Sequence, residues 1–323
     1  MSDWRPASGP EAATSRAVLM RRVRACFEEA GILEVDTPAL SSAAVSDTQI
    51  ESFEIADSTV SKRPLFLHTS PEFCMKRLLA DGYPDIFSIC RVFRDGETGR
   101  RHQPEFTMIE WYRLGMNLSN IIDDTLQVIQ HALDDRAPVT KPVQLDYREA
   151  VLDATGLDPL TADTQSLASA LDAEDRLRDA IGEEKDDWLD LLLATRVVPG
   201  FANDRLTVLK HYPASQAALA RLCPADPQVA DRFEVFLGPV ELANGYVELA
   251  DAAEQSARIT ADNEARIRRG RPVRPLDSNL IAALESGLPE CAGVAMGFER
   301  LQMIHDKTDD IRNVLTFAFE PDE

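Results

Sequence analysis

The chain has 323 residues, 44% of them hydrophobic and 28% charged, and a formal net charge of −21. That length supports a sizeable core in one large domain or two ordinary ones. The charge repels polyanions and argues against broad, non-specific nucleic-acid binding.

No apolar run approaches the about 18 residues of a membrane-spanning helix. The N-terminal MSDWRPASGPEAATS has no signal-type apolar stretch. Residues 1–13 read as a flexible lead-in, and the cytoplasm is the expected location. Cys26, Cys74, Cys90, Cys223 and Cys291 are scattered, without zinc or redox spacing. They read as reduced, mostly core thiols. His68, His102, His131, His211 and His305 are equally dispersed. A His-based metal site would need a proximity that spacing does not show.

In chain order, a helix is predicted from Thr14 or Ser15, with Val18, Leu19, Val23, Cys26 and Phe27 at helical spacing and Gly31 closing it. GILEVDTPAL reads as a short strand closed by Pro38, Leu65–Leu67 as another. Pro71–Leu79 reads as a helix and Ile86–Phe93 as a strand. Asn117–Leu133 is an amphipathic helix, Asp134–Val143 a linker, and residues 146–196 an acidic helical insertion. Strands return at Leu206–Leu209 and Phe233–Leu249. A charged helix covers Ala252–Arg269, and Cys291–Phe319 reads as strand, helix, strand. This order predicts an α+β fold, an antiparallel sheet flanked by helices, over residues 14–323. No glycine-rich fingerprint of the Rossmann or P-loop type occurs.

Three segments carry candidate chemistry. In FRDGETGRRHQPEFTMIEWYR, Phe93–Arg113, the side chains of Phe106, Met108, Glu110 and Tyr112 share one strand face, and Arg94 lies about one hairpin away. An aromatic ring, a carboxylate, a phenol and a guanidinium suit a purine, an ammonium and a phosphate; the plain alternative is a hairpin with one polar face. In FEVFLGPVELANGYVEL, Glu234, Glu241 and Glu248 sit seven apart, and a turn at Gly238–Pro239 brings Glu234 back beside Glu241. Carboxylates in an apolar segment call for a cation, either magnesium or a substrate ammonium. In CAGVAMGFERL, Gly293, Ala295 and Gly297 leave room for a flat ligand, and Arg300 follows where a helix would start. The RIRRGRPVR cluster reads either as a solvated helix end or as a docking patch for an acidic partner.

Taken together these segments resemble class II aminoacyl-tRNA synthetases, with Glu34–Leu40 similar to motif 1, Arg94 with PEFTMIE to motif 2 and GVAMGFER to motif 3. TSPEFCMKRLL, RHQPEFTMIEWY and ELANGYVEL resemble the lysyl subgroup. EFTMIEWYR, Ala295 in place of glycine, and the absence of an anticodon-binding domain ahead of the core are similar to the elongation factor P–(R)-β-lysine ligase family.

The resemblance implies ATP-dependent activation of lysine or (R)-β-lysine, then transfer to a lysine of elongation factor P. It implies Arg94 on the α-phosphate, Phe106 and Arg300 on the adenine, Gly297 at close backbone approach, and Gln103 touching adenine. Leu242 beside Glu241 joins the ATP-binding set. Glu234 and Glu241 should bind magnesium; Ser70 and Glu72 should hold the backbone-type amine; Glu110, Tyr112 and Glu248 the side-chain ammonium; Asn244 the carboxylate. Where the family reads Arg-Asn-Glu-Glu, this chain reads Arg94-Asp95-Gly96-Glu97, so Asp95 or Glu97 would take over a nucleotide contact. A homodimer paired through motif 1 is implied. The competing readings are a truncated enzyme charging tRNA, disfavoured by the charge, and an inactive paralogue serving as a scaffold.

Overall fold

The computed structural model describes residues 4–320. The chain forms two compact units, one made of the segment up to Ala137 together with that from Ala250 onwards, the other of Pro138–Leu249.

In the first unit, helix α1 spans Pro10–Glu29, about one turn earlier than expected, so residues 10–13 are helical. Pro10 explains this: its fixed φ suits the first turn, where no N–H is required. Short strands β1 (Leu33–Glu34) and β2 (Leu40–Ser41) take up the GILEVDTPAL segment. β3 (Glu54–Ile55) and β4 (Leu65–Leu67) complete a small antiparallel sheet with β2. Helix α2 (Glu72–Ala80), strands β5 (Ile86–Phe93) and β6 (Glu105–Leu114) and helix α3 (Leu118–Leu133) follow. The Asn117 side chain caps α3 by accepting from the Asn120 N–H. One face of β6 goes to the core: Trp111 packs on Phe27 of α1 and donates to Asp124 of α3 at 2.9 Å.

The second unit begins with a strand where a linker was expected. β7 covers Thr140–Asp146 and runs parallel to β8, Arg205–Lys210. Pairing with a buried neighbour overrides the polar, proline-bearing sequence. Between them, helices α4 (Tyr147–Thr155), α5 (Thr164–Ala170), α6 (Asp175–Ile181) and α7 (Lys185–Leu192) occupy the expected helical stretch. Their apolar faces close a core around Trp188, with Tyr147, Leu167, Leu209 and Phe236. The hairpin β9 (Leu222–Cys223) and β10 (Asp226–Ala230) had no clear sequence signal. β11 (Arg232–Leu237) and β12 (Val240–Val247) form the carboxylate-bearing hairpin. Its turn needs glycine twice over: Gly238 has φ +53, and an added Cβ would lie 2.0 Å from Asn203 Oδ1. The strand order here is β12-β11-β8-β7.

The chain then returns to the first unit through α8 (Ala252–Arg268), α9 (Ser278–Gly287), β13 (Cys291–Gly297) and α10 (Phe298–Asp306). β13 pairs antiparallel with β6, giving the order β1-β5-β6-β13. Among the described residues no strand follows α10, contrary to expectation. Ile311, Val314 and Leu315 pack on Met303 instead. The architecture is α+β, with sheet flanked by helices, as predicted. Among the described residues no helix is long and apolar enough to cross a membrane.

The RIRRGRPVR cluster divides: Arg268 and Arg271 are exposed, as a solvated helix end and loop would be, whereas Arg266 and Arg274 turn inward. Arg266 is fully buried and reaches both carboxylate oxygens of Glu51 at 2.9 and 2.7 Å. Arg274 bonds Glu54 at 3.0 Å and Glu51 as well. The Glu51 carbonyl accepts from the Asp95 N–H, so this clamp ties α8 to the start of the Asp95–Gly96 loop.

Trp188→Ala removes the largest side chain from the second unit's core. Cavity formation of that kind costs about 3–5 kcal/mol, and urea denaturation followed by circular dichroism should show the loss.

Candidate active site

The geometry of the first unit centres on Glu110. β5, β6 and β13 lie side by side, and their register sets Ser88 and Ala295 directly opposite Glu110 on either side. Residues opposed across an antiparallel ladder share a face, with Cβ atoms about 4.5–5.5 Å apart. Ala295 is therefore the immediate neighbour of Glu110, a relation that their separation in sequence hides. Tyr112, two residues along the same face, donates its hydroxyl to Glu110 Oε1 at 2.8 Å. Ser70, just before α2, donates to Glu110 Oε2 at 2.7 Å and accepts from the Glu72 N–H at 3.0 Å. Glu72 opens α2, and one turn later Lys76, only 1% exposed, pairs with it at 2.6 Å. Sequence analysis missed Lys76, although its i, i+4 spacing from Glu72 was the available signal.

Burial, then the charge of Glu72, pushes the Glu110 carboxyl up to about 8, against the pull of the Ser70 and Tyr112 hydrogen bonds and of Lys76. Burial thus disfavours its ionised form, and an arriving ammonium would favour it. A cavity of about 200 Å³ lies beside this group, lined by Ser70, Glu72, Ala43, His68, Arg77 and Asp277 among others.

The expected nucleotide residues of this unit fall into separate groups, Arg94 with Phe106 and Glu97, and Gly297 with Arg300. Arg94 lies with its guanidinium 5.2 Å from the Phe106 ring centroid and 3.5 Å from Glu97. A cation over an aromatic face is a favourable pairing. Gly96 has φ +78, so the turn itself demands glycine, and this explains its presence where the resembled family has glutamate. Asp95 is exposed beside it. Arg300, in the first turn of α10, donates to His102 Nε2 at 2.7 Å. At Gly297 an added Cβ would meet nothing closer than Arg300 Cδ at 3.7 Å. Packing inside the protein therefore does not require glycine there, and the space remains for a ligand. Gln103 is buried, and its side-chain oxygen accepts the Phe319 N–H at 2.6 Å, a bond that occupies the group expected on adenine. Glu299, next to Arg300, is structural: it accepts from Arg16 at 3.0 Å and from the Thr107 N–H at 2.9 Å.

In the second unit a register shift decides the outcome. Glu234 opposes Asn244 and Val235 opposes Ala243, but Phe236 opposes Glu241. Leu242 is the extra residue of this bulge, and its side chain is buried. On a regular strand Glu241 and Asn244 would point to opposite faces. The bulge turns Glu241 onto the face shared by Glu234 and Asn244, and alternation beyond Asn244 adds Glu248. Glu234 is buried, and Arg232 donates to it at 2.7 Å. Burial, then the charge of Glu241, raises the Glu234 carboxyl well above its ordinary value, and Arg232 opposes this. A buried carboxyl raised by a neighbouring carboxylate suits a divalent cation, and the donor set of Glu234 and Glu241 fits magnesium, which takes few carboxylates. Arg232 and Tyr212, whose ring lies 4.4 Å from the guanidinium, were not anticipated, although Arg232 stands two residues from Glu234 on the same strand face.

Comparison with known proteins identifies the family. A family model for class II tRNA synthetases (D, K and N) matches residues 2–321. The chain belongs to that family. Its relatives include proteins named elongation factor P–(R)-β-lysine ligase. The one from Sodalis glossinidius is 41% identical over 99% of each chain. That from Vibrio cholerae is 42% identical over 98% of each. That from Mannheimia succiniciproducens is 42% identical over 98% of this chain and 97% of the relative. The class II synthetase domain spans both units described above.

A carboxyl whose pKa is raised in the folded state binds more protons there than in the unfolded chain, so stability falls as pH rises between the ordinary value of 4.5 and about 8. Glu110→Gln removes that group. Urea denaturation at about pH 5 and about pH 8 should show a smaller loss of stability in the variant than in the parent.

Proposed function

We propose that this chain activates (R)-β-lysine, or lysine, with ATP and joins it to the ε-amine of a lysine on elongation factor P. The observation that carries the reading is the buried Glu110, held by Ser70 and Tyr112 with Ala295 opposite it on β13. Such a pocket pairs an ammonium, and a methyl group rather than a hydrogen stands beside the pairing carboxylate. The names of the relatives, at about the same identity over nearly their whole length, point the same way.

In this reading Glu110, Tyr112 and Glu248 hold the side-chain ammonium, Glu72 and Ser70 hold the second amine, and Asn244 orients the carboxylate. Lys76 is the partner of Glu72 that the substrate amine would join. Arg94 and Arg300 hold the phosphates, Phe106 takes the adenine, and Gly297 lets the nucleotide approach the backbone. Glu97, paired with Arg94, steadies the guanidinium, and Asp95 stands at the rim of the same loop. Glu234 and Glu241, with Leu242 as the bulge that aligns them, would hold magnesium, which when bound neutralises charge on the phosphates.

The substrate carboxylate attacks the α-phosphorus and pyrophosphate leaves. The ε-amine of the target lysine then attacks the acyl carbon, an amide forms, and AMP leaves. The protein's contribution is to position reactants and to offset charge. The fold is proposed to act as a homodimer through the segment Glu34–Leu40, in the cytoplasm, where translation factors work.

The test is the intact mass of elongation factor P after incubation with the enzyme, ATP, magnesium and (R)-β-lysine, beside a tRNA-charging assay. One added lysyl unit without charged tRNA is the expected result. Charged tRNA alone would overturn the protein-substrate reading, and neither product would overturn the ligase reading.

A second prediction concerns Ala295. Ala295→Gly should shift relative activation toward α-lysine, by up to about 10–200-fold for a change of one methyl group. ATP–pyrophosphate exchange with each isomer measures it, and an unchanged ratio would remove Ala295 from the selection of substrate.

A further inference from the structure

His211, Cys223 and Asp231 are separated in sequence, and none takes part in the chemistry above. In the second unit they converge: one ligand atom from each lies within 4.8 Å of the other two. His211 directly follows β8, Cys223 ends β9, and Asp231 sits between β10 and β11. From these contacts we propose that they form a binding site for a thiophilic divalent cation of the zinc class.

The histidine is already set for this role. Its Nδ1 lies in a hydrogen bond with Asp146. An ionised carboxylate only accepts, so Nδ1 carries the proton and Nε2 carries the lone pair. A carboxylate behind a histidine is the usual support of a metal-binding imidazole, fixing both tautomer and ring orientation. The backbone agrees: His211 has φ +59, in the left-handed region that costs a non-glycine residue energy. Its N–H is tied to the Arg232 carbonyl at 2.9 Å, which holds that conformation.

The other two donors match. Asp231 is buried, and one of its oxygens accepts from Arg221 Nε at 2.8 Å, which orients the carboxylate. Cys223 is a half-buried free thiol. A thiolate, a carboxylate and a neutral imidazole around a dication give a site with no net charge, and the thiol proton leaves to solvent on binding. Ligands on a tetrahedral zinc ion lie about 3.3–3.8 Å apart, so closing the site needs about 1 Å of side-chain rotation. Three protein donors leave the fourth position for water.

The consequence is local. Asp231 exchanges backbone hydrogen bonds with Arg221 and Val247 and directly precedes Arg232, the partner of Glu234. A bound cation would pin the β9–β10 hairpin to the strands that carry the unit's carboxylates.

The test uses full-length, chelator-treated protein titrated with cobalt(II) and followed by absorption, with no dependence on ligase activity. One equivalent is expected to give a thiolate-to-cobalt charge-transfer band and the strong visible absorption of a four-coordinate ion, both abolished by zinc. Cys223→Ser should lose the charge-transfer band while keeping its circular dichroism spectrum. Asp146→Asn, which leaves all three donors in place, should weaken binding about 10–100-fold as a supporting partner does. Absence of the band in the parent protein, its persistence in Cys223→Ser, or indifference to Asp146→Asn would each overturn the proposal.

Discussion

A carboxylate taken out of water must hold a proton or meet a cation. Glu110 is where this constraint shapes the protein. It is almost fully buried on the middle strand of three, with Ser70 and Tyr112 supplying one hydrogen bond to each oxygen. The nearby Glu72 would raise the cost further, and Lys76 offsets it at 2.6 Å. The group is thus a buried set of opposed charges and hydrogen bonds. Its ionisable members are held by regular elements: Glu110 and Tyr112 by a strand, Glu72 and Lys76 by the first turns of a helix. Positions set this way vary less than those on loops.

The second unit handles the same constraint by different means. Glu234 has a resident cation in Arg232, stacked on Tyr212, yet its carboxyl is still pushed upward by burial and by Glu241. The residual repulsion is what a divalent ion would relieve. The bulge at Leu242 makes the arrangement possible, since without it Glu241 would face away from Glu234. Arg266 of α8 and Arg274 just beyond it solve the problem in a third way, with guanidinium and carboxylate permanently paired. That pairing stabilises a loop rather than leaving a charge open to a ligand.

The reading of the sequence succeeded where chemistry and local periodicity coincide. Alternation along Phe106–Tyr112 placed the aromatic, carboxylate and phenol on one face, and the core-facing Trp111 on the other, as found. The helix after Asn117 began at its cap. Failures fall where partners lie far away in sequence. Thr140–Val143 is strand because β8 lies beside it. The segment after α10 is not, because its apolar residues pack on the helix instead. Arg266 and Arg274 looked like surface because their carboxylate partners, Glu51 and Glu54, lie more than 200 positions away.

By itself the sequence determined the identity and order of the functional groups: motif arginines, strand carboxylates, the small residues of β13 and the turn glycines. These are local properties, set by period, by φ and by neighbouring residues. Tertiary structure alone decided which groups meet. It put Ala295 against Glu110, rotated Glu241 onto the face of Glu234, occupied Gln103 with the chain end, and drew His211, Cys223 and Asp231 together. Strand register and burial are properties of pairs distant in the chain, and no local pattern carries them.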